Sequence, residues 1–101
     1  MENGSIPGGG SIEHLAERGR FRVVDEGGRQ IAELDYTALP GIWDLTHTYS
    51  DPGYRGTGLA SVLVTHVMDQ ARAAGVTIVP SCPYIPVWLS RHPDYVDLVA
   101  R

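Results

Sequence analysis

The sequence predicts an α/β protein with a mixed sheet, in which an antiparallel meander leads into a βαβ crossover and short C-terminal helices close the chain. Three observations carry this. Ala32, Leu34, Tyr36 and Ala38 alternate with Glu33, Asp35 and Thr37, the period of a strand with one buried face. Leu59, Val62, Leu63, Val67 and Ala71 fall on one face of a helix that follows a glycine-rich turn. The short β-branched run Val76-Thr77-Ile78-Val79 then suits a strand buried on both faces, as in a parallel pair joined by a helix.

The elements follow in order. Residues 1–19 carry Gly4, Gly8, Gly9, Gly10 and Gly19 with Pro7, a composition that favours a flexible lead-in to a single domain spanning 20–101. Within it, Ser11 to Arg18 suits a helical turn capped by Ser11, with His14 solvated on its surface. Phe21 to Val24 reads as a strand that ends at the hairpin turn Asp25-Glu26-Gly27-Gly28. Arg29 to Leu39 returns antiparallel to it, and Pro40-Gly41 ends that strand. Ile42 to Tyr49 is the third strand, with Trp43, Leu45, His47 and Tyr49 sharing one face. The helix is expected from Thr57 or Gly58 to Ala74, with Gly75 as a left-handed C-cap. Pro80, Pro83 and Pro86 make Ser81 to Pro86 a loop, and Val87 to Arg91 and Asp94 to Ala100 form short helices on either side of His92-Pro93.

Bulk properties narrow the function. A formal charge of -4 with no basic cluster argues against nucleic acid as partner. The single cysteine excludes an internal disulfide and agrees with a reducing, cytoplasmic setting. No apolar run is long enough to span a membrane, and the first residues lack the apolar core of a signal peptide. His14, His47, His66 and His92 show no metal-binding spacing, so no metal is expected.

The chemistry concentrates in Asp51-Pro52-Gly53-Tyr54-Arg55-Gly56-Thr57-Gly58-Leu59-Ala60. Gly56 and Gly58 precede a helix N-terminus, where unpartnered N-H groups and the macrodipole suit a phosphate. Arg55 adds a planar cation able to pair with phosphate oxygens. Neither a P-loop nor the full G-x-G-x-x-G pattern is present. From these residues alone, a tight strand-to-helix turn that needs glycine only for its geometry stands beside the phosphate reading.

Arg55-Gly56-Thr57-Gly58-Leu59-Ala60 resembles the Arg/Gln-x-x-Gly-x-Gly/Ala signature of GNAT-superfamily N-acetyltransferases. The order Asp44-Leu45-x-His47-Thr48, Ala71-Arg72, Pro80-x-Cys82-x-Tyr84-Ile85 and His92-Pro93-x-Tyr95 extends the likeness to the small single-domain GNAT-like subfamily. The resemblance implies a GNAT-like fold and acetyl transfer from acetyl-CoA to an amine, on a small molecule or a peptide. It places Tyr54 and the Arg55 to Ala60 loop on the CoA pyrophosphate, and Thr48, Ser50, Cys82 and Tyr84 along the acetyl-bearing arm.

Two residues are catalytic candidates. His47 reads either as the base that accepts the amine proton or as a packed, hydrogen-bonded histidine. Cys82 reads as an acid to the leaving thiolate, a transient acyl carrier or a small buried hydrophobe. Tyr84 and Trp88 either close over the pantetheine arm or belong to the core. Where the subfamily commonly continues with an acid, Val and Pro after His-Thr, this chain has Tyr49-Ser50-Asp51. At 101 residues, the acceptor wall is expected to be an open groove or to come from a second subunit, so a monomer and a homodimer both stand. An acyl-CoA-binding or sensor module is the alternative to an enzyme.

Overall fold

The computed structural model describes residues 6–7 and 9–100. Five strands form one sheet: β1 Ser11–Leu15, β2 Arg20–Val24, β3 Gln30–Leu39, β4 Ile42–Ser50 and β5 Thr77–Val79, in sequence order across the sheet. All neighbours are antiparallel except β4 and β5, which are parallel. The crossover between those two is helix α1, Leu59–Ala74. Helix α2, Tyr84–Arg91, and a 3-10 turn, Pro93–Leu98, complete the chain. The meander and the βαβ crossover are thus as the sequence predicts.

The core lies on one face of the sheet. Phe21, Val23, Ala32, Leu34, Leu45 and Ile78 meet Leu63, Val64, Val67, Met68 and Ala71 of α1, all fully buried. Ile85 and Trp88 seal the end of α1, where the Trp88 indole Nε1 donates to Ser61 Oγ at 3.0 Å. Both ends of α1 depend on left-handed glycines, Gly58 at φ 84° and Gly75 at φ 74°. Among the described residues no helix packs on the other sheet face, whose side chains form two cross-strand rows. One row is Leu15, Arg20, Asp35 and His47; the other is Glu13, Arg22, Glu33 and Tyr49.

The structure corrects four expectations. Ser11 to Leu15 is a strand paired with β2, so the folded unit reaches at least to Ser11, and only residues 1–5 and 8 of the lead-in lie outside the described residues. Glycines there serve close approach: a Cβ on Gly10 would collide with the Val24 backbone, and Gly19, at φ 66°, turns the chain under the Tyr36 carbonyl. His14 accordingly lies on β1 with its ring stacked on Phe21 at 3.9 Å and its Nε2 2.6 Å from the Tyr36 hydroxyl.

The second correction concerns β4. Asp35 pairs with His47 but Tyr36 pairs with Leu45, so Thr46 is an extra residue that bulges the strand. Its consequence is a change of side. Leu45 is buried in the core, whereas His47 and Tyr49 project on the open face, and Thr48 takes the inward side in their place.

The third lies at the start of α2, which begins at Tyr84 instead of after Pro86. Pro86 sits in the first turn, where a backbone N-H would have no helical acceptor, so its ring costs nothing there. The fourth is the chain end: Pro93 to Leu98 is a 3-10 turn, after which Val99 bridges Ile78 and the Ala100 amide donates to the Ile78 carbonyl at 2.8 Å.

Candidate active site

The turn between β4 and α1 is held at its start by Asp51. Its amide donates to the Ile31 carbonyl, its Oδ1 accepts from the Gly53 amide at 2.8 Å, and its Oδ2 pairs with Arg29 at 2.9 Å. The Gly53 amide and the Arg29 guanidinium together hold the Asp51 carboxyl below its usual value. A short 3-10 turn, Pro52–Tyr54, follows, and Thr57 bonds back to the Tyr54 carbonyl through both its amide and its hydroxyl. Gly56 and Gly58 both have positive φ, and an added Cβ at either would meet open space. The first helical bond runs from the Val62 amide to the Gly58 carbonyl, so the amides of Leu59, Ala60 and Ser61 precede the hydrogen-bonded ladder.

These groups line a cleft of about 450 Å³. Ser50, Asp51, Pro52, Tyr54, Arg55, Gly56, Gly58, Leu59, Ala60 and Ser61 line it from the turn and α1, and Tyr84 and Arg91 line it from α2. The structure therefore brings together nearly all the residues singled out for the phosphate turn; Thr57 is turned back into the loop. Burial pushes the Tyr84 hydroxyl above its usual value. Trp88, at 2 % exposure, belongs to the core and does not line this cleft.

At the Ser50 end, the cleft meets a break in the sheet. Parallel pairing of β4 with β5 stops at Asp44 and Val79, because Pro80 offers no N-H and the Ser81 amide turns back to the Val79 carbonyl. Ser81 Oγ bonds the Asp44 carboxylate at 2.5 Å and the Cys82 amide bonds the Leu45 carbonyl at 2.8 Å. From Thr46 to Ser50 the edge of β4 has no strand beside it on that side among the described residues. Cys82 is buried there, its Sγ 3.5 Å from Thr48 Oγ1.

His47 lies on the other face. Its side chain is 52 % exposed and its Nε2 stands 3.2 Å from Glu33 Oε2. Glu33 is itself fixed, its Oε1 accepting from Gln30 at 2.5 Å and lying 3.4 Å from Arg20, which also grips Asp35 at 2.7 and 3.2 Å. Glu33, Asp35 and His47 present ligand atoms within 4.8 Å of one another. Arg20 pairs with both carboxylates, so these groups form one ion-paired network. The two catalytic candidates thus flank β4 on opposite faces.

Sequence reasoning missed Glu33 and Arg20 as companions of His47, and Ser61 and Arg91 as cleft residues. The alternation in β3 did put Glu33 and Asp35 outward; the unmarked bulge hid that His47 joins them. A second cavity, about 570 Å³ between Gly10–Ile12 and α1, shares only Ser61 with the cleft and holds none of the predicted site residues. His66 borders it, half-buried, and burial lowers its pKa from the usual 6.5.

A family model described as GCN5-related N-acetyl-transferase matches residues 20–98. The chain belongs to this family. Solved GNAT structures share its fold. A GCN5-like protein from Staphylococcus aureus superposes with a TM-score of 0.65 at 22% identity, over 89% of this chain and 87% of that one. A ribosomal-protein-alanine N-acetyltransferase from Brucella melitensis gives 0.57 at 20% identity, over 86% of this chain and 65% of that one. A GNAT family N-acetyltransferase from Escherichia coli, solved in complex with CoA, gives 0.53 at 21% identity, over 58% of this chain and 37% of its own. The chain thus spans about two thirds or less of the two named acetyltransferases, and nearly all of the Staphylococcus protein. No helix among the described residues is long and apolar enough to cross a membrane.

Proposed function

We propose that this GNAT protein transfers an acetyl group from acetyl-CoA to an amine by direct attack in a ternary complex. The observation that supports this reading most is the cleft that starts at Arg55 and the α1 N-terminus and ends, at Ser50, beside the break between β4 and β5. Acetyl-CoA supplies the activated acetyl thioester. Arg55 and the backbone of Gly56 to Ala60 hold its pyrophosphate, in open space that the two glycines leave free. Thr48 and Ser50 line the arm at the unpaired edge of β4, and Tyr84 borders it from α2.

The chain's own groups then divide the proton traffic between the two sheet faces. His47, or a water it orders, takes the proton that the amine loses as it attacks. Glu33 receives the Nε2-H of that imidazole and keeps the other ring nitrogen available. Cys82, beside Thr48 on the inner face, donates a proton to the departing thiolate and regains it from solvent. The acceptor amine, on a small molecule or a peptide, approaches from the open face. The lone buried cysteine suits a cytoplasmic setting.

The uncovered face also favours a second reading, an acyl-CoA-binding or sensor module, because nothing described there encloses an acceptor. The two part on one assay. Release of CoA thiol from acetyl-CoA is followed with polyamines and peptides bearing a free N-terminus. Amine-dependent release that falls in His47→Ala supports the enzyme. Saturable CoA binding with no amine-dependent release across the panel leaves the binding module.

A further inference from the structure

The arginines among the described residues fall into two groups. Arg20, Arg22, Arg29 and Arg72 each hold a carboxylate. Among the described residues Arg18, Arg55 and Arg91 hold none, and two of these three line the same cleft. Arg55 stands on the glycine turn and Arg91 on the last turn of α2, and both line the cleft.

This convergence is unfavourable without a ligand. Two guanidiniums share the cleft with the positive end of a helix of 16 residues. The carboxylate in the cleft wall, Asp51, is committed to Arg29 at 2.9 Å and to the Gly53 amide at 2.8 Å. A cation in the last turn of α2 does complement that helix's own dipole. Any exposed position of the turn would serve that purpose, and it does not require the residue to line the cleft that Arg55 lines. The charge balance calls for an anion with phosphates at two separate places.

We propose that Arg91 binds a second phosphate of the CoA nucleotide, the monoester on its ribose, while Arg55 and the turn hold the pyrophosphate. This rests on the acetyl-CoA reading above and adds a specificity to it: the protein discriminates CoA from dephospho-CoA. The alternative donor of a free pyrophosphate group alone would leave Arg91 idle.

Isothermal titration of the full chain with CoA and with dephospho-CoA tests this, in the wild type, Arg91→Ala and Arg91→Lys. Arg91 is exposed, so both variants keep the fold, which circular dichroism verifies. The wild type binds CoA roughly ten- to hundredfold more tightly than dephospho-CoA, the range of one charge-assisted contact. Arg91→Ala binds both at the wild-type dephospho-CoA affinity, and Arg91→Lys regains part of the difference. Equal binding of the two ligands by the wild type, or discrimination that survives in Arg91→Ala, overturns the assignment and leaves the CoA reading intact. Binding of neither ligand by the folded wild type defeats both.

Discussion

His47 Nε2 stands 3.2 Å from a carboxylate oxygen of Glu33, on the sheet face that carries no helix among the described residues. The pairing exists because one extra residue in β4, Thr46, moves His47 off the core side and sets it opposite Asp35. A strand of strict alternation would have buried the imidazole behind Leu45. The bulge therefore links backbone register to side-chain placement: it exposes the His47 imidazole and sets it beside a fixed carboxylate.

If His47 is the base proposed above, its removal should cost turnover and spare binding. His47→Ala is expected to lower kcat about a hundredfold or more, the usual share of a general base. Glu33→Ala should lower kcat in the same direction while the affinity for acetyl-CoA stays put. Steady-state kinetics beside a direct CoA titration separates the two effects, and unchanged turnover in His47→Ala would take His47 out of the mechanism.

Arg55→Ala should act on binding. It removes one charge-assisted partner of the pyrophosphate, worth about 1.5–3 kcal/mol, or roughly ten- to a hundredfold in Kd. Titration with CoA reads this directly, and an unaltered Kd would leave Arg55 as a solvated residue of the turn.

The helix and its glycine turn are legible because glycines at both ends and a run of spaced apolar residues are local marks. β1 was not, since Gly8, Gly9 and Gly10 look the same whether they loosen a chain or let Gly10 press against Val24. Nor does Thr46 differ in type from its β-forming neighbours, so the bulge that moves His47 leaves no trace in composition. Pro86 misled in the other direction, as a breaker that in fact sits where a helix tolerates it. The site was readable as far as it is built from one contiguous stretch; Glu33 and Arg91 reach it through register and packing.

Gly19 and Gly41 offer a controlled comparison. Both are left-handed, at φ 66° and 71°, but a Cβ on Gly19 meets the Tyr36 carbonyl oxygen while one on Gly41 meets nothing. Gly41→Ala should cost about 1–2 kcal/mol from conformation alone. Gly19→Ala should cost more, because the β1–β2 turn must also lift off β3. Urea midpoints measure both, and equal losses would mean that the turn yields freely.

Acidification should weaken the fold in two separate windows. Burial lowers His14 and His66 below 6.5, so the unfolded chain takes up protons first. Their stability contribution is complete above 6.5 and falls as pH drops through that value, flattening once the folded-state values are passed. Asp51 and Asp97 are held below 3.8, Asp51 chiefly by the Gly53 amide and Arg29, Asp97 by Arg72, so their contribution persists to lower pH and is lost as pH falls through the folded values. Thermal unfolding across about pH 8 to pH 5 should show the first loss, and His66→Leu should reduce it. A melting temperature that rises over that interval would contradict the assignment.

In the function proposed above, the turn at the α1 N-terminus is a CoA site. Thermal unfolding with acetyl-CoA, CoA and ATP in separate samples tests it most directly, since a ligand that binds only the folded chain raises Tm. A rise with both CoA species and none with ATP is the expected result. No shift with either CoA species, at concentrations far above usual cofactor affinities, would reduce the glycine turn to architecture and contradict the account.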